Sequence, residues 1–205
     1  MKRKNIFLVI AVVTTFFACN LFAAYDPAVN PLDPGQETLS VTNLLNGVTF
    51  DGQIDYDVYA PGEFTEAITA ITGTQISASA FANQYVYQYQ ITSTSGYGDN
   101  LSIALDPGSG SSNFGFALGS GDADPHFIFD AGTLVSYSFV IADGQSTASL
   151  LFTSPYAPTA GVATVHGMVA GSQAVVVPVP VPEPITLILL GAGCLPLRYY
   201  RKKSR

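Results

Sequence analysis

The chain has 205 residues, of which 48% are hydrophobic and only 11% are charged, and its formal net charge is −7. Soluble proteins usually contain about one quarter charged residues. The eight basic residues all lie near the two ends, and no Lys or Arg occurs between Asn5 and Leu197. This distribution excludes nucleic-acid binding, phosphoryl transfer and lysine Schiff-base chemistry in the middle of the chain, because each of them needs cationic side chains.

Residues 1–24 predict a secretory signal peptide. Residues 2–4 are Lys-Arg-Lys, an apolar run follows from Ile6, and small residues at 23–24 offer a cleavage site for signal peptidase. The apolar run is shorter than the ~20 residues that a transmembrane helix needs. Cleavage is therefore favoured over a retained membrane anchor. It is also favoured over lipoprotein processing at Cys19, because residues 16–18 lack the Leu-like residue that lipoproteins usually have three positions before the cysteine.

Residues 25–174 predict an exported passenger domain with an all-β fold. Short segments of alternating polar and apolar residues, separated by turn-forming residues, indicate antiparallel strands. Strands at this spacing are typical of a β-sandwich, here predicted to be jelly-roll-like. Asp143-Gly144 between two alternating runs predicts a β-hairpin. The alternating segments are 49–59, 85–91, 101–105, 114–118, 127–129, 135–141, 146–153 and 162–169.

The passenger contains neither of the two cysteines, Cys19 and Cys194. It is therefore predicted to hold no disulfide, no thiol nucleophile and no cysteine-ligated metal.

The C-terminal part of the chain is divided into three segments. In residues 175–184, alternating Val and Pro predict a stiff polyproline II linker. An apolar segment follows at 185–197, predicted as a short hydrophobic membrane helix, and then a basic tail at 198–205 that is predicted to stay in the cytoplasm. The basic residues of the tail are Arg198, Arg201, Lys202, Lys203 and Arg205.

These three segments resemble the PEP-CTERM sorting signal, a tail that is also called an ice-binding-protein C-terminal domain. The resemblance rests on the motif Val181-Pro182-Glu183-Pro184, the apolar segment and the closing basic cluster. It implies cleavage at the motif by an exosortase and delivery, after a transient stay at the inner membrane, to the cell surface or extracellular matrix. Pro196 departs from the pattern near the end of the apolar segment. An ordinary tail anchor on a proline-rich stalk is the alternative.

Two groups of acidic residues are candidate cation sites. Asp122, Asp124 and His126 lie within five residues and are a candidate Ca²⁺ or other metal site, although a solvated turn is the favoured interpretation. Asp51, Asp55 and Asp57 share one face of a predicted strand. There the favoured interpretation is an ordinary polar strand face.

Three alternating tyrosines are a candidate glycan contact. Tyr85, Tyr87 and Tyr89 lie on one face of a predicted strand and could stack against sugar rings. Aromatic residues in strands belong more often to the core, so the core interpretation is favoured.

No catalytic residue is predicted. The serines in glycine-rich loops lack the Gly-x-Ser-x-Gly pattern, and His166 is predicted to be a partly buried strand residue. The sequence therefore predicts a non-enzymatic protein of the cell surface or extracellular matrix, with a structural or adhesive role in exopolysaccharide or biofilm. A carbohydrate-binding module that presents an exposed aromatic face is the alternative, and a secreted glycoside hydrolase is a more distant one. Expected partners are signal peptidase, an exosortase, the membrane transiently and extracellular polysaccharide, with no nucleic acid.

Overall fold

The computed structural model describes residues 34–182, apart from residues 44 and 46. This part of the chain is almost entirely β-structure, as the sequence predicts, with a single short 3₁₀ helix at Ala78–Phe81. Its twelve strands are β1 Gly35–Thr42, β2 Thr49–Tyr59, β3 Ile68–Thr69, β4 Gln75–Ile76, β5 Tyr85–Ser95, β6 Gly98–Ala104, β7 Ser112–Ala117, β8 Phe127–Asp130, β9 Leu134–Ile141, β10 Ser149–Ser154, β11 Pro158–Gly167 and β12 Gly171–Pro180.

The strands form two antiparallel sheets. The seven-stranded sheet has the order β1-β2-β5-β10-β7-β3-β4, and the five-stranded sheet has the order β12-β11-β6-β9-β8. After β5 the chain changes sheet repeatedly, so that β6, β8, β9, β11 and β12 join the five-stranded sheet while β7 and β10 return to the other. The predicted signal peptide, apolar segment and basic tail lie outside the described residues. Among the described residues, no helix has the length and hydropathy that crossing a membrane requires.

Both sheets contribute to one hydrophobic core. Successive side chains of a strand point to opposite faces, and in each sheet the apolar set of the central strands points inward. In β2, for example, the buried residues Phe50, Ile54 and Val58 alternate with half-buried ones. The largest fully buried side chains of this core are Tyr87, Tyr89, Tyr137, Phe50, Phe139, Phe152, Ile54, Ile91, Leu101, Ile103 and Ile141.

A second, smaller apolar cluster covers part of the outer face of the seven-stranded sheet. The connection between β2 and β5, residues 60–84, contains β3, β4 and the 3₁₀ helix. Its residues Phe64, Ile68 and Phe81 pack with Val86 of β5 and Leu151 of β10. Because Val86 and Leu151 alternate with core residues of their strands, they point away from the shared core. Sheet residues on both faces are therefore buried in this area.

Buried tyrosines connect the two sheets. The hydroxyl of Tyr137, in β9 of the five-stranded sheet, donates a hydrogen bond to the carbonyl of Leu151 in the other sheet, at 2.7 Å. The ladder between β10 and β7 is irregular after Leu151. In the opposite direction, the hydroxyl of Tyr89 donates to the carbonyl of Pro178 in β12. Burial of a phenol hydroxyl without a hydrogen-bond partner would cost free energy, and each of these two bonds supplies that partner.

The predicted linker at 175–184 is wrong for residues 175–180. These residues form the second half of β12, which pairs with β11 from Gly171 to Pro180. Three valines of this strand, Val175, Val177 and Val179, are buried in the core. The passenger domain thus extends beyond its predicted end at residue 174.

The physical reason for the error is that the Val/Pro alternation has the period of a strand as well as that of an extended linker. β12 lies at an edge of its sheet. Prolines two residues apart place their missing N–H groups on the same side of a strand, and an edge strand tolerates this where that side faces away from the partner.

The hairpin predicted at Asp143-Gly144 is also wrong, although the turn itself is confirmed. Gly144 has a φ of +75°, and the N–H of Gln145 donates to the carbonyl of Ala142 at 3.0 Å. The flanking strands β9 and β10 belong to different sheets. After the turn, the N–H of Thr147 bonds to the carbonyl of Ile91 in β5 at 2.8 Å, which takes the chain into the seven-stranded sheet.

Candidate binding faces

On the outer face of the five-stranded sheet, residues of β8, β9 and β6 lie opposite one another in two rows. In one row, Phe127 of β8 lies opposite Ser138 of β9, which lies opposite Asn100 of β6. In the next row, Phe129, Ser136 and Ser102 occupy the same positions. We call these six residues, Asn100, Ser102, Phe127, Phe129, Ser136 and Ser138, the uncharged face.

The polar part of the uncharged face is a closed hydrogen-bond network. The side-chain amide of Asn100 donates to Ser136 Oγ at 2.8 Å and to Ser138 Oγ at 3.2 Å. Ser102 Oγ donates to Asn100 Oδ1 at 2.8 Å. The side chains are thereby held in fixed orientations on an otherwise flat surface.

The two phenylalanines of the uncharged face are open to solvent. Phe127 is 54% exposed and Phe129 is 47% exposed. They lie on the same side of the edge strand β8, two residues apart, whereas Ile128 between them packs against the core. Residues two apart on a strand are separated by about 6.7 Å, so the two rings form a neighbouring pair at the margin of the face.

The outer face of the seven-stranded sheet has a different chemistry. Asp51, Asp55 and Asp57 point outward together on β2, which confirms the prediction that they share a face. Asp55 accepts hydrogen bonds from Gln36 at 2.8 Å and from Gln53 at 3.1 Å. We call the three aspartates and these two glutamines the carboxylate face.

A shallow depression of about 390 Å³ lies on the carboxylate face. Asp55, Asp57, Gln88 and Gln90 line it, with the first residues of β1 at one side. Gln90 is already engaged, because its amide donates to the carbonyls of Ser120 and Thr147 at 2.9 and 2.8 Å. The depression thus presents carboxylate and amide groups, with no cationic group among its lining residues.

The structure does not bring the candidate metal ligands Asp122, Asp124 and His126 together, which agrees with the favoured interpretation as a solvated turn. All three side chains are exposed, and within residues 34–182 no group of three or more His, Cys, Asp and Glu side chains is placed to hold a metal ion. Asp122 Oδ2 instead accepts the N–H of Ser146 at 2.9 Å. Gly121 permits this approach, since a Cβ at that position would lie 2.0 Å from the carbonyl oxygen of Thr147. The Asp122 carboxylate, a candidate metal ligand, thus holds this loop against the segment that contains Ser146.

The candidate glycan platform of Tyr85, Tyr87 and Tyr89 is not available to a ligand. Tyr87 and Tyr89 are fully buried and Tyr85 is half-buried against the core. The hydroxyl of Tyr87 donates to the carbonyl of Tyr156 at 2.8 Å. The platform interpretation is therefore wrong, and the core interpretation is confirmed for Tyr87 and Tyr89.

Burial also changes the acid–base properties of these phenols. It raises the pKa of Tyr87, Tyr89 and Tyr137 far above the ordinary tyrosine value, because a phenolate in the core would lose its hydration. Near neutral pH all three hydroxyls remain protonated and act as the donors described above.

His166 lies in β11 and is half-buried, as the sequence predicts. It lies opposite Asn100, next to the uncharged face. Burial raises the pKa of the neighbouring Asp99 carboxyl, and the charge of His166 opposes this shift only in part. Asp99 Oδ1 is buried without a hydrogen-bond partner, so it makes no hydrogen bond to His166.

Only the first half of the predicted sorting motif lies within the described residues. Val181 packs partly against the core and Pro182 is half-buried. Glu183, Pro184 and the basic tail lie outside the described residues. The motif thus begins directly after a core strand.

Comparison with known proteins finds no family model that matches the chain and no significantly similar curated protein or solved structure.

Phe127 and Phe129 are not among the binding residues that the sequence predicts. The sequence predicts a short strand at residues 127–129, but it does not show which of the two apolar sets of this strand faces the core. Phe127 and Phe129 on one side of the strand and Ile128 on the other are all apolar, so the pairing of β8 with β9 determines which side faces the core. Ser136 and Ser138 opposite the two phenylalanines are the one signal that could have found them.

Proposed function

We propose that the chain is a non-enzymatic exported protein, delivered through a PEP-CTERM-type tail to the cell surface or extracellular matrix, where it has a structural or adhesive role. The observation that carries the proposal is the separation of charge. All eight basic residues lie outside the described domain, at the two ends where export and sorting signals occur.

The described domain fits this role. We infer that the two sheets form a jelly-roll-like β-sandwich, and the single core that they share supports this inference. The core includes β12 up to Val179. Cleavage at residues 182–184 would therefore leave every strand of the domain in the released product.

The proposal is tested by the C-terminus of the protein found outside the cell. We expect mass spectrometry of surface or matrix material to show a chain that ends between Pro182 and Pro184. Replacing the motif residue Glu183 by Ala should cause the full chain to accumulate in the membrane fraction, whereas the matched change Glu63→Ala should not. A surface form that retains Arg205 would refute processing at the motif.

A further inference from the structure

We propose that the uncharged face binds an uncharged polysaccharide, with Phe127 and Phe129 packing against the C–H surfaces of sugar rings and the Asn100–Ser network bonding their hydroxyls. This inference deepens the adhesive role proposed above and rests on it. The proposal names one ligand class and one surface.

The distribution of charge over the two outer faces favours an uncharged ligand for the uncharged face. By strand alternation, the outward residues of β6, β8, β9, β11 and β12 include no Asp and no Glu, and His166 is their one titratable group. The exposed Asp130 ends β8 on the side of Ile128. Asp51, Asp55 and Asp57 lie on the opposite side of the same domain. An anionic polymer would experience the repulsion of an acidic protein and would find no Lys or Arg to pair with, whereas a neutral polymer avoids both costs.

The exposure of the phenylalanines needs a functional explanation. Large apolar side chains that are exposed together on a folded domain commonly mark an interaction surface. Phe127 and Phe129 are both about half exposed, and Val140, 48% exposed, lies on the same side of β9. A ligand that covers these rings would gain the free energy of removing apolar area from water.

The polar rows supply the hydrogen bonds that such a ligand needs. A serine hydroxyl has one donor and two acceptor positions. Ser138 uses one acceptor position for Asn100 and Ser102 uses its donor, so both keep bonding capacity for a ligand, whereas Ser136 is saturated by Asn100 and Ser102. Because the network already fixes these side chains, binding would cost little additional conformational entropy.

Other occupants fit the face less well. A membrane with anionic lipids would require a basic surface, and residues 34–182 contain no Lys or Arg. A second copy of the chain would bury the phenylalanines but would leave the hydroxyl network facing an identical network. The following experiment distinguishes these occupants.

The test is affinity electrophoresis of the full chain with intact termini, held in a polyoxyethylene detergent that contains no sugar. The gels contain hydroxyethylcellulose or dextran as neutral polymers, or alginate as an anionic polymer. We expect retardation in at least one neutral gel. The double change Phe127→Ala/Phe129→Ala should weaken the apparent affinity by about tenfold or more, since a tenfold loss corresponds to about 1.4 kcal/mol.

Tyr97→Ala is the matched control, because Tyr97 is 56% exposed and lies in the turn between β5 and β6, outside the six residues of the uncharged face. It should retain binding, and both variants should keep the thermal midpoint of the parent, since all three side chains are exposed. Ser138→Ala should weaken binding less than the double change.

Four results would overturn the inference. These are no retardation in either neutral gel, stronger retardation by alginate, an equal loss with Tyr97→Ala, and a dimer in light scattering that the double change dissociates. None of them bears on the C-terminus found at the cell surface, so failure of this inference and failure of the sorting proposal are distinguishable.

Discussion

The two outer faces of the domain rest on one core but differ in what they expose. The carboxylate face has three outward aspartates on β2, and part of its sheet is covered by residues 60–84. The uncharged face is open, has no acidic residue and exposes two phenylalanine rings. Because the shared core is built from the inner faces of the two sheets, the outer faces can differ in charge and cover without a change in that core.

The largest effect is expected from a change in the core that both faces share. Phe152 is fully buried and stacks on Tyr87 with ring centroids 5.0 Å apart. Phe152→Ala should lower the free energy of unfolding by about 3–5 kcal/mol, because it leaves a cavity. Denaturation followed by tyrosine fluorescence and by circular dichroism should give one transition. Two separate transitions would contradict a common core.

A pair of outward-facing residues tests the difference in cover between the sheets. Leu151 of β10 is fully buried under residues 60–84, whereas Val162 of β11 is 48% exposed. Leu151→Ala should cost about 2–5 kcal/mol, and Val162→Ala should stay within about 0.5 kcal/mol. Urea denaturation measures both. Similar costs would mean that the outer face of the five-stranded sheet is covered as well.

We expect high pH to destabilise the domain through the buried tyrosines of the shared core. Burial raises the pKa of Tyr87, Tyr89 and Tyr137 above the unfolded value of 10. Their contribution is complete below pH 10. It decreases as pH rises further, because the unfolded chain then loses protons that the folded chain retains.

The thermal midpoint should therefore decrease steeply above pH 10. Tyr89→Phe should make this decrease shallower, while at neutral pH it should cost about 1–3 kcal/mol, because the carbonyl of Pro178 loses its donor. Tyr97→Phe, at an exposed position, is the control that should leave the slope unchanged. A smaller phenolate absorbance change at pH 10 in folded Tyr89→Phe than in the folded parent would argue against a buried Tyr89, since the other tyrosines are the same in both proteins.

The smallest effect concerns the carboxylate face alone. Asp51 accepts a hydrogen bond from Ser40 at 2.7 Å, and Asn can keep this bond while removing the charge. Asp51→Asn should raise stability by no more than about 0.5 kcal/mol at low salt, and the gain should disappear at high salt. The reverse change, Gln53→Glu, should lower stability under the same conditions. A gain that is independent of salt would show that charge repulsion is not the cause.

Much of the fold could be predicted because its strands alternate clearly. β2 has the predicted bounds, 49–59, and Tyr87 and Tyr89 are core residues as favoured. Two predictions are wrong for a common reason: the linker in place of the second half of β12, and the hairpin at Asp143-Gly144. In both segments the local residues are compatible with two structures, and pairing with a distant strand determines which of them forms.

The candidate site was harder to predict than the fold for the same reason. Asp122, Asp124 and His126 are close in sequence, but Asp122 bonds to Ser146 and the three side chains form no ligand set. Phe127 and Phe129 form a surface with Asn100 only because β8, β9 and β6 are neighbours in one sheet.

The sequence by itself determined the all-β class and the phase of the central strands, because these depend on alternation within a few residues. It also determined the position of the basic residues, all outside the domain. Only the tertiary structure decided which apolar set of β8 is exposed, where the Val/Pro segment lies and which outer face is free of charge. Those outcomes depend on pairing between strands that are distant in the sequence, and no local pattern contains that information.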